Sequence, residues 1–235
     1  MSTEQTYRGM VLKPGATLEG ANLRDAHLSD CDLSGANLQG ADLSQAELRD
    51  VNLSGANLIE ADMTNIVMVG VIAKRARLMR ARLVGATCEE SVFDESDFAG
   101  ADLTGADFSR NSLESVIFVD ANVQNAIFVG AKLRGVDCQG ANMNESVLRV
   151  ADLSGACLVG TSLRHAELEG ADLTDANVEE ADFTGANLFG ARLDDTFGEN
   201  VHGIDDVRRN ESDDPEDEQV DDPEEADPFD PEDKE

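Results

Sequence analysis

Residues 36–53 read ANLQGADLSQAELRDVNL. Ala or Val is followed by one residue and then Leu; two looser positions follow, and the set begins again. A period of five fits neither common regular structure. After five residues a helix of about 3.6 residues per turn is far out of phase, and a strand, with its period of about 2, has changed faces. The pattern therefore requires a chain that turns a corner once in every pentapeptide.

Taking the large apolar residue as the centre of each unit, centres fall on Leu18, Leu23, Leu28 and every fifth residue to Leu193, 36 units without an insertion. Leu or Phe holds 28 centres, and Ala holds 25 of the positions two residues earlier. Chance does not hold one register for so long, so the segment is a solenoid array. A spacing of two places both residues on one side of a short extended segment. That side is the interior, because the residue between them is often Asp or Asn. Gly, Asp and Glu two residues after the centre suit a tight turn.

Charges indicate how many sides a coil has. Between residues 16 and 195 there are 13 Lys or Arg and 30 Asp or Glu. Ten of the 13 bases meet an acid 20 residues away, against seven at 15 and five at 25. The ladder sets Lys74 against Asp94, Arg75 against Glu95, Arg77 against Asp97, Arg80 against Glu60, and Arg82 against Asp62 and Asp102. Opposite charges facing each other across strands are mildly stabilising. Phe98 and Phe118, and Phe108 and Phe128, also repeat at 20. Four sides per coil give nine coils and, at roughly 4.8 Å per coil, a rod about 43 Å long.

These units resemble the A-(D/N)-L-x-x signature of the pentapeptide-repeat family over residues 16–195. The resemblance implies an all-β fold, a right-handed quadrilateral parallel β-helix. Two positions depart from the pattern. Asn111 puts a polar group inside, and Ala73 underfills a centre, with Phe93 one coil on to offset it.

The sequence divides into an N-terminal cap (1–15) around Met10, Val11 and Leu12, the repeat array (16–195), a C-terminal cap or linker (196–210) and a tail (211–235). From residue 199 onward there are 18 acids and three bases, and the stretch after 210 contains all but one of the Pro. Such a composition predicts disorder. No apolar run approaches transmembrane length and no signal-peptide core is present. Cys31, Cys88 and Cys138 fall on inward positions and Cys157 on an outward one. This is expected of thiols in a reducing compartment, and the cytoplasm is the expected location.

The sequence offers no constellation for catalysis. His27, His165 and His202 lack a neighbouring Cys or His at ligand spacing. No acid takes an inward position where a carboxylate pair could be tuned, and the glycines recur at turns rather than in a phosphate loop. No enzymatic activity, cofactor or metal is expected. The basic stretch AKRARLMRAR (73–82) would suit nucleic acid, but its five bases all face acids at 20. With a net charge of −31, direct nucleic-acid binding is not expected, nor is membrane association.

Outward apolar residues are more informative. Ile59, Met79, Ala99 and Val119 fall in one column over four coils, and Ile117 shares their face; exposed apolar patches mark partner sites. Val67 with Val69, and Ile127 with Val129 and Val147, form smaller groups on another face. Two functional classes follow. The first is a non-enzymatic protein-interaction scaffold whose acidity keeps the rod soluble, or suits a salt-rich cytoplasm. The second comes from the resemblance, since some family members mimic duplex DNA, inhibit type II topoisomerases and protect them from quinolones. Net −17 over the array is one charge per roughly 2.5 Å, against about 1.7 Å in B-DNA. The faces carry −5, −3, −5 and −4, so charge is not concentrated on one. The open last coil predicts a homodimer through the C-terminal end, with only Phe197, Ile204 and Val207 available as a lid.

Overall fold

In a computed structural model of the chain, residues 5–204 are described. Strands β1 (Gln5–Tyr7) and β2 (Met10–Leu12) form an antiparallel hairpin ahead of the array. Leu12 is buried, and Tyr7 and Met10 pack against the core. Strands β3 (His27–Ser29), β4 (Glu47–Arg49), β5 (Val67–Val69) and β6 (Thr87–Glu89) then stack in chain order as a parallel sheet. Elsewhere successive coils meet through single-residue parallel bridges. The first joins Thr17 to Asn37 and the last Asp182 to His202, and each spans 20 residues. At four pentapeptides per coil, the 36 units make nine coils of a quadrilateral β-helix.

The faces are numbered here by their first centres: Leu18, Leu23, Leu28 and Leu33 for the first to the fourth. Strands β3 to β6 lie on the third. Centres and the residues two before them form one continuous core. Phe93, Phe98, Phe108, Phe118 and Phe128 are fully buried within it. Phe108 and Phe128 stack at 5.7 Å and 9°, whereas Phe98 and Phe118 are tilted by 37°.

Most corners are turns in which the centre's carbonyl accepts the N–H three residues on, as in Ala36 to Leu33 at 3.0 Å. The residue two after the centre has positive φ, which makes the turn type II. Gly takes that conformation without strain. Asn65 (φ 55°) and Asp25 (φ 56°) adopt it as well, as Asn and Asp tolerate it best among the rest. The repeated Asp or Asn closes the other side of the turn. Asp97 Oδ1 accepts the N–H of Ala99 at 2.9 Å, and Asp152 that of Ser154 at 3.0 Å. These are Asx-turns, and they explain why the residue between Ala and Leu is short and polar.

Pairing continues past residue 195. Phe197 bridges Asn177, and His202 bridges Asp182. The centre positions there are Gly198 and Gly203. A Cβ on Gly203 would lie 2.6 Å from the backbone carbon of Phe183, so the chain lies directly across the end of the core. Ile204 is buried, but Phe197 is 58% exposed and does not cover the last coil as a lid would. Val207 and the acidic tail 211–235 lie outside the described residues.

Candidate interaction surface

The five apolar residues singled out above share the first face. Ile59, Met79, Ala99 and Val119 are each half-buried. Their carbonyls accept N–H bonds from Gly40, Glu60, Arg80 and Gly100 at 2.9 to 3.0 Å. They therefore stand one above another, one coil apart. Ile117, at 37% exposure, sits two residues before Val119 and bridges Asp97 and Asp137. The Glu60–Arg80 ion pair (3.2 Å) borders the stripe. Other exposed apolar side chains are Ile72, Val150 and Phe189, which carried no expectation from the sequence, and Phe197, expected there as a lid. Phe189 (82% exposed) and Phe197 occupy opposite faces at the C-terminal end.

Register places every expected charge pair one coil apart, but only some of them touch. Lys74 reaches Asp94 at 3.1 Å, Arg75 reaches Glu95 at 2.7 Å, and Arg192 reaches Asp172 at 2.9 Å. Hydrogen bonding and the charge of Arg75 hold the Glu95 carboxyl below its usual range. Among the described residues, no ion pair joins Arg77 to Asp97, or Arg82 to Asp62 or Asp102. One oxygen of each of these carboxylates is engaged by its own turn: Asp62 accepts from Thr64, Asp97 from Ala99 and Asp102 from Thr104. The turn bond leaves the second oxygen available, and Asp172, bonded to Thr174 in the same way, uses it for Arg192. Other pairs form at spacings the ladder did not consider, such as Arg164 with Asp182 at 3.3 Å.

The turn bonds also show in acidity. The hydroxyls of Ser34, Ser44, Thr174 and Thr184 hold Asp32, Asp42, Asp172 and Asp182 below the usual carboxylate range. Burial raises the thiol pKa of Cys31, Cys88 and Cys138. Cys157 is half-buried, and all four are free. His27 sits 3.3 Å from Glu47. Among the described residues no group of His, Cys, Asp and Glu could hold a metal ion, and no helix is long and apolar enough to cross a membrane.

One irregularity crosses the third face. At its corner with the fourth face, the N–H of Cys31, Val51, Val71 and Ser91 makes no turn bond to the preceding centre, whereas from Asn111 onward every such bond is present. Side chains close the change of geometry from inside. Ser91 Oγ accepts the N–H of Val71 at 3.0 Å. Asn111 accepts the N–H of Ser91 at 2.6 Å and donates to the carbonyl of Cys88 at 2.8 Å. The signal was present in the sequence. In this inward column Cys31, Val51, Val71, Ser91 and Asn111 precede an unbroken run of Ala from 131 to 191.

A family model described as pentapeptide repeats matches the chain in eight copies, over residues 15–50, 46–85, 74–110, 126–164 and 166–197. A comparison with curated protein sequences finds no match. Among solved structures, a pentapeptide repeat protein from the Arabidopsis thaliana thylakoid lumen is 33% identical over 42% of this chain and 69% of its own, with a TM-score of 0.41. HetL, a pentapeptide repeat protein involved in heterocyst differentiation regulation from the cyanobacterium Nostoc sp. strain PCC 7120, is 30% identical over 78% of this chain and 89% of its own, with a TM-score of 0.27. Trypsin-treated QnrB1 (R167E), a plasmid-mediated fluoroquinolone resistance protein, is 15% identical over 80% of this chain and 97% of its own, with a TM-score of 0.43.

Proposed function

The chain belongs to the pentapeptide-repeat family, and on that premise we propose that it is a non-enzymatic scaffold that binds a protein partner in the cytoplasm. The observation that carries this reading is the first-face stripe. Ile59, Met79, Ala99 and Val119 are held one coil apart on a backbone bonded along its length, with Ile117 beside them. A rigid strip loses little entropy on binding, which leaves more of the contact energy as affinity. Charged and polar residues flank it and would form the rim of an interface. Capture of a partner from the native host's lysate at native salt, with stripe variants beside the wild type, tests the proposal.

One observation favours a second reading. The array spaces its net charge at about 2.5 Å per charge, near enough to the roughly 1.7 Å of B-DNA to compete for a basic groove. Under this reading the partner is a type II topoisomerase and the rod stands in for its DNA. It rests on the family resemblance together with the charge spacing, and not on the likeness to QnrB1. In either case the exposed Phe189 and Phe197 near the C-terminal end of the rod favour a homodimer through the C-terminal coils.

A further inference from the structure

Among the described residues, the third face carries a break found nowhere else. From Gly20 to Glu180, the residue two after a centre donates its N–H to the coil above, as Gly70 does to Glu89 and Arg110 to Val129. Glu90 is the one exception among the described residues, and its N–H has no acceptor among them. Its acceptor by register, the Ser109 carbonyl, instead takes a bond from the Asn111 side chain at 3.3 Å. The coils have parted here, just where β6 ends the sheet. Asn111 spans the gap on the inside. Outside it lies a cleft of about 450 Å³, lined by Thr87, Cys88, Glu89, Glu90, Asp107, Ser109, Arg110 and Val129.

Three carboxylates and one guanidinium line this cleft. The parting also separates Glu90 from Arg110, which stand 20 residues apart yet form no ion pair among the described residues; Glu89 has none either. The net charge repels anions and suits a cation. An amide without its partner at the end of a sheet suits an extended backbone, which offers carbonyls at strand spacing. The face continues in aliphatic side chains, with Val129 at the cleft and Val150 (62% exposed) one coil beyond. We infer that this cleft docks an extended basic segment of a partner protein. Its lysine or arginine lies among Glu89, Glu90 and Asp107, and a backbone carbonyl of the segment accepts the Glu90 N–H. The inference deepens the scaffold reading and rests on it.

The whole rod attracts cations, so the test must separate a site from a field. The ¹⁵N-labelled full chain is titrated with the peptide acetyl-VKVRV-amide, and with acetyl-VEVDV-amide as control. The basic peptide should shift the amide resonances of Glu90, Arg110 and Val129. Replacing Glu89 and Glu90 together by Gln should weaken it about tenfold, the scale expected when a cation loses its facing charges. Removing the same charge on the opposite face, with Glu179→Gln and Glu180→Gln, should change affinity by less than about twofold. Equal weakening by both pairs, shifts spread over all four faces, or an unmoved Glu90 resonance would overturn the site. A partner captured through the Ile59 stripe while the peptide leaves Glu90 unmoved would keep the scaffold and remove this cleft from it.

Discussion

The side chain of Asn111 accepts the backbone N–H of Ser91, one coil below, at 2.6 Å. With its bond to the Cys88 carbonyl, it satisfies both backbone groups that an ordinary corner would have joined to each other. Asn111 is thus a structural plug, next to Ser91, in an inward column whose other residues are apolar. Asn111→Ala should cost about 2 kcal/mol, the penalty for leaving buried donors and acceptors unmade. Thermal or denaturant unfolding would show it. A variant as stable as the wild type would mean that water replaces the amide at no cost.

Contact, and not register alone, should decide which charges couple. A double-mutant cycle on Lys74 and Asp94, which touch at 3.1 Å, should give about 0.5 kcal/mol in low salt and less as salt rises. The same cycle on Arg77 and Asp97, bridged in register but without an ion pair, should give less. Equal coupling would show that the field of the rod, and not the pair, is being measured.

Four turn carboxylates make a prediction about acid. Their turn hydrogen bonds hold Asp32, Asp42, Asp172 and Asp182 below the usual carboxylate range in the folded chain, while the unfolded value is about 3.9. The unfolded chain binds protons first as pH falls. The stabilisation is therefore complete above about pH 4 and is lost as pH drops through the lowered folded values. Thr174→Ala and Ser44→Ala should each cost stability at pH 6 and cost less at pH 2. Identical losses at both pH values would remove the hydroxyls as the cause.

Fold and site were unequally legible in the sequence. Strict five-residue spacing, once the ladder sets four sides, defines the coil in all but its hand, so the coil and its inward Leu and Phe could be read directly. The Asp between Ala and Leu could not. Its charge suggested a partner across the coils, but its nearest donor is the N–H two residues along its own chain, as with Asp97 and Ala99. The break at Glu90 was hidden for a similar reason. Its cause is a change in corner geometry along one column, and a repeat read unit by unit does not compare columns. Phe197 looked like a lid because it is apolar and terminal, yet pairing with Asn177 carries it onto the outer surface.

The exposed aromatics bear on self-association. Phe189 and Phe197, on opposite faces of the last coils, should be covered in a C-terminal dimer, and open strand edges add to the drive. Light scattering at high micromolar concentration should give twice the chain mass for the full chain and the monomer mass for Phe197→Asp combined with Phe189→Asp. A monomeric wild type would remove the dimer.

If the partner is a type II topoisomerase, inhibition of its supercoiling should fall steeply with salt, because screening weakens attraction between the rod and a basic groove. Deleting residues 211–235 should slow association more than it speeds dissociation. No inhibition at tens of micromolar protein in low salt would discard this reading, and inhibition by the isolated tail would show that the coiled rod is not the mimic.

The scaffold claim is tested most directly by capture from the native host's lysate at native salt with three baits: the wild type, Met79→Asp with Val119→Asp on the stripe, and Ile72→Asp on the fourth face, an exposed position outside both proposed surfaces. The account predicts a stoichiometric protein partner on the wild-type and Ile72→Asp rods that is missing from the stripe variant, with all three baits melting as folded rods. No stoichiometric partner on the wild type, or one retained undiminished by the stripe variant, would contradict it.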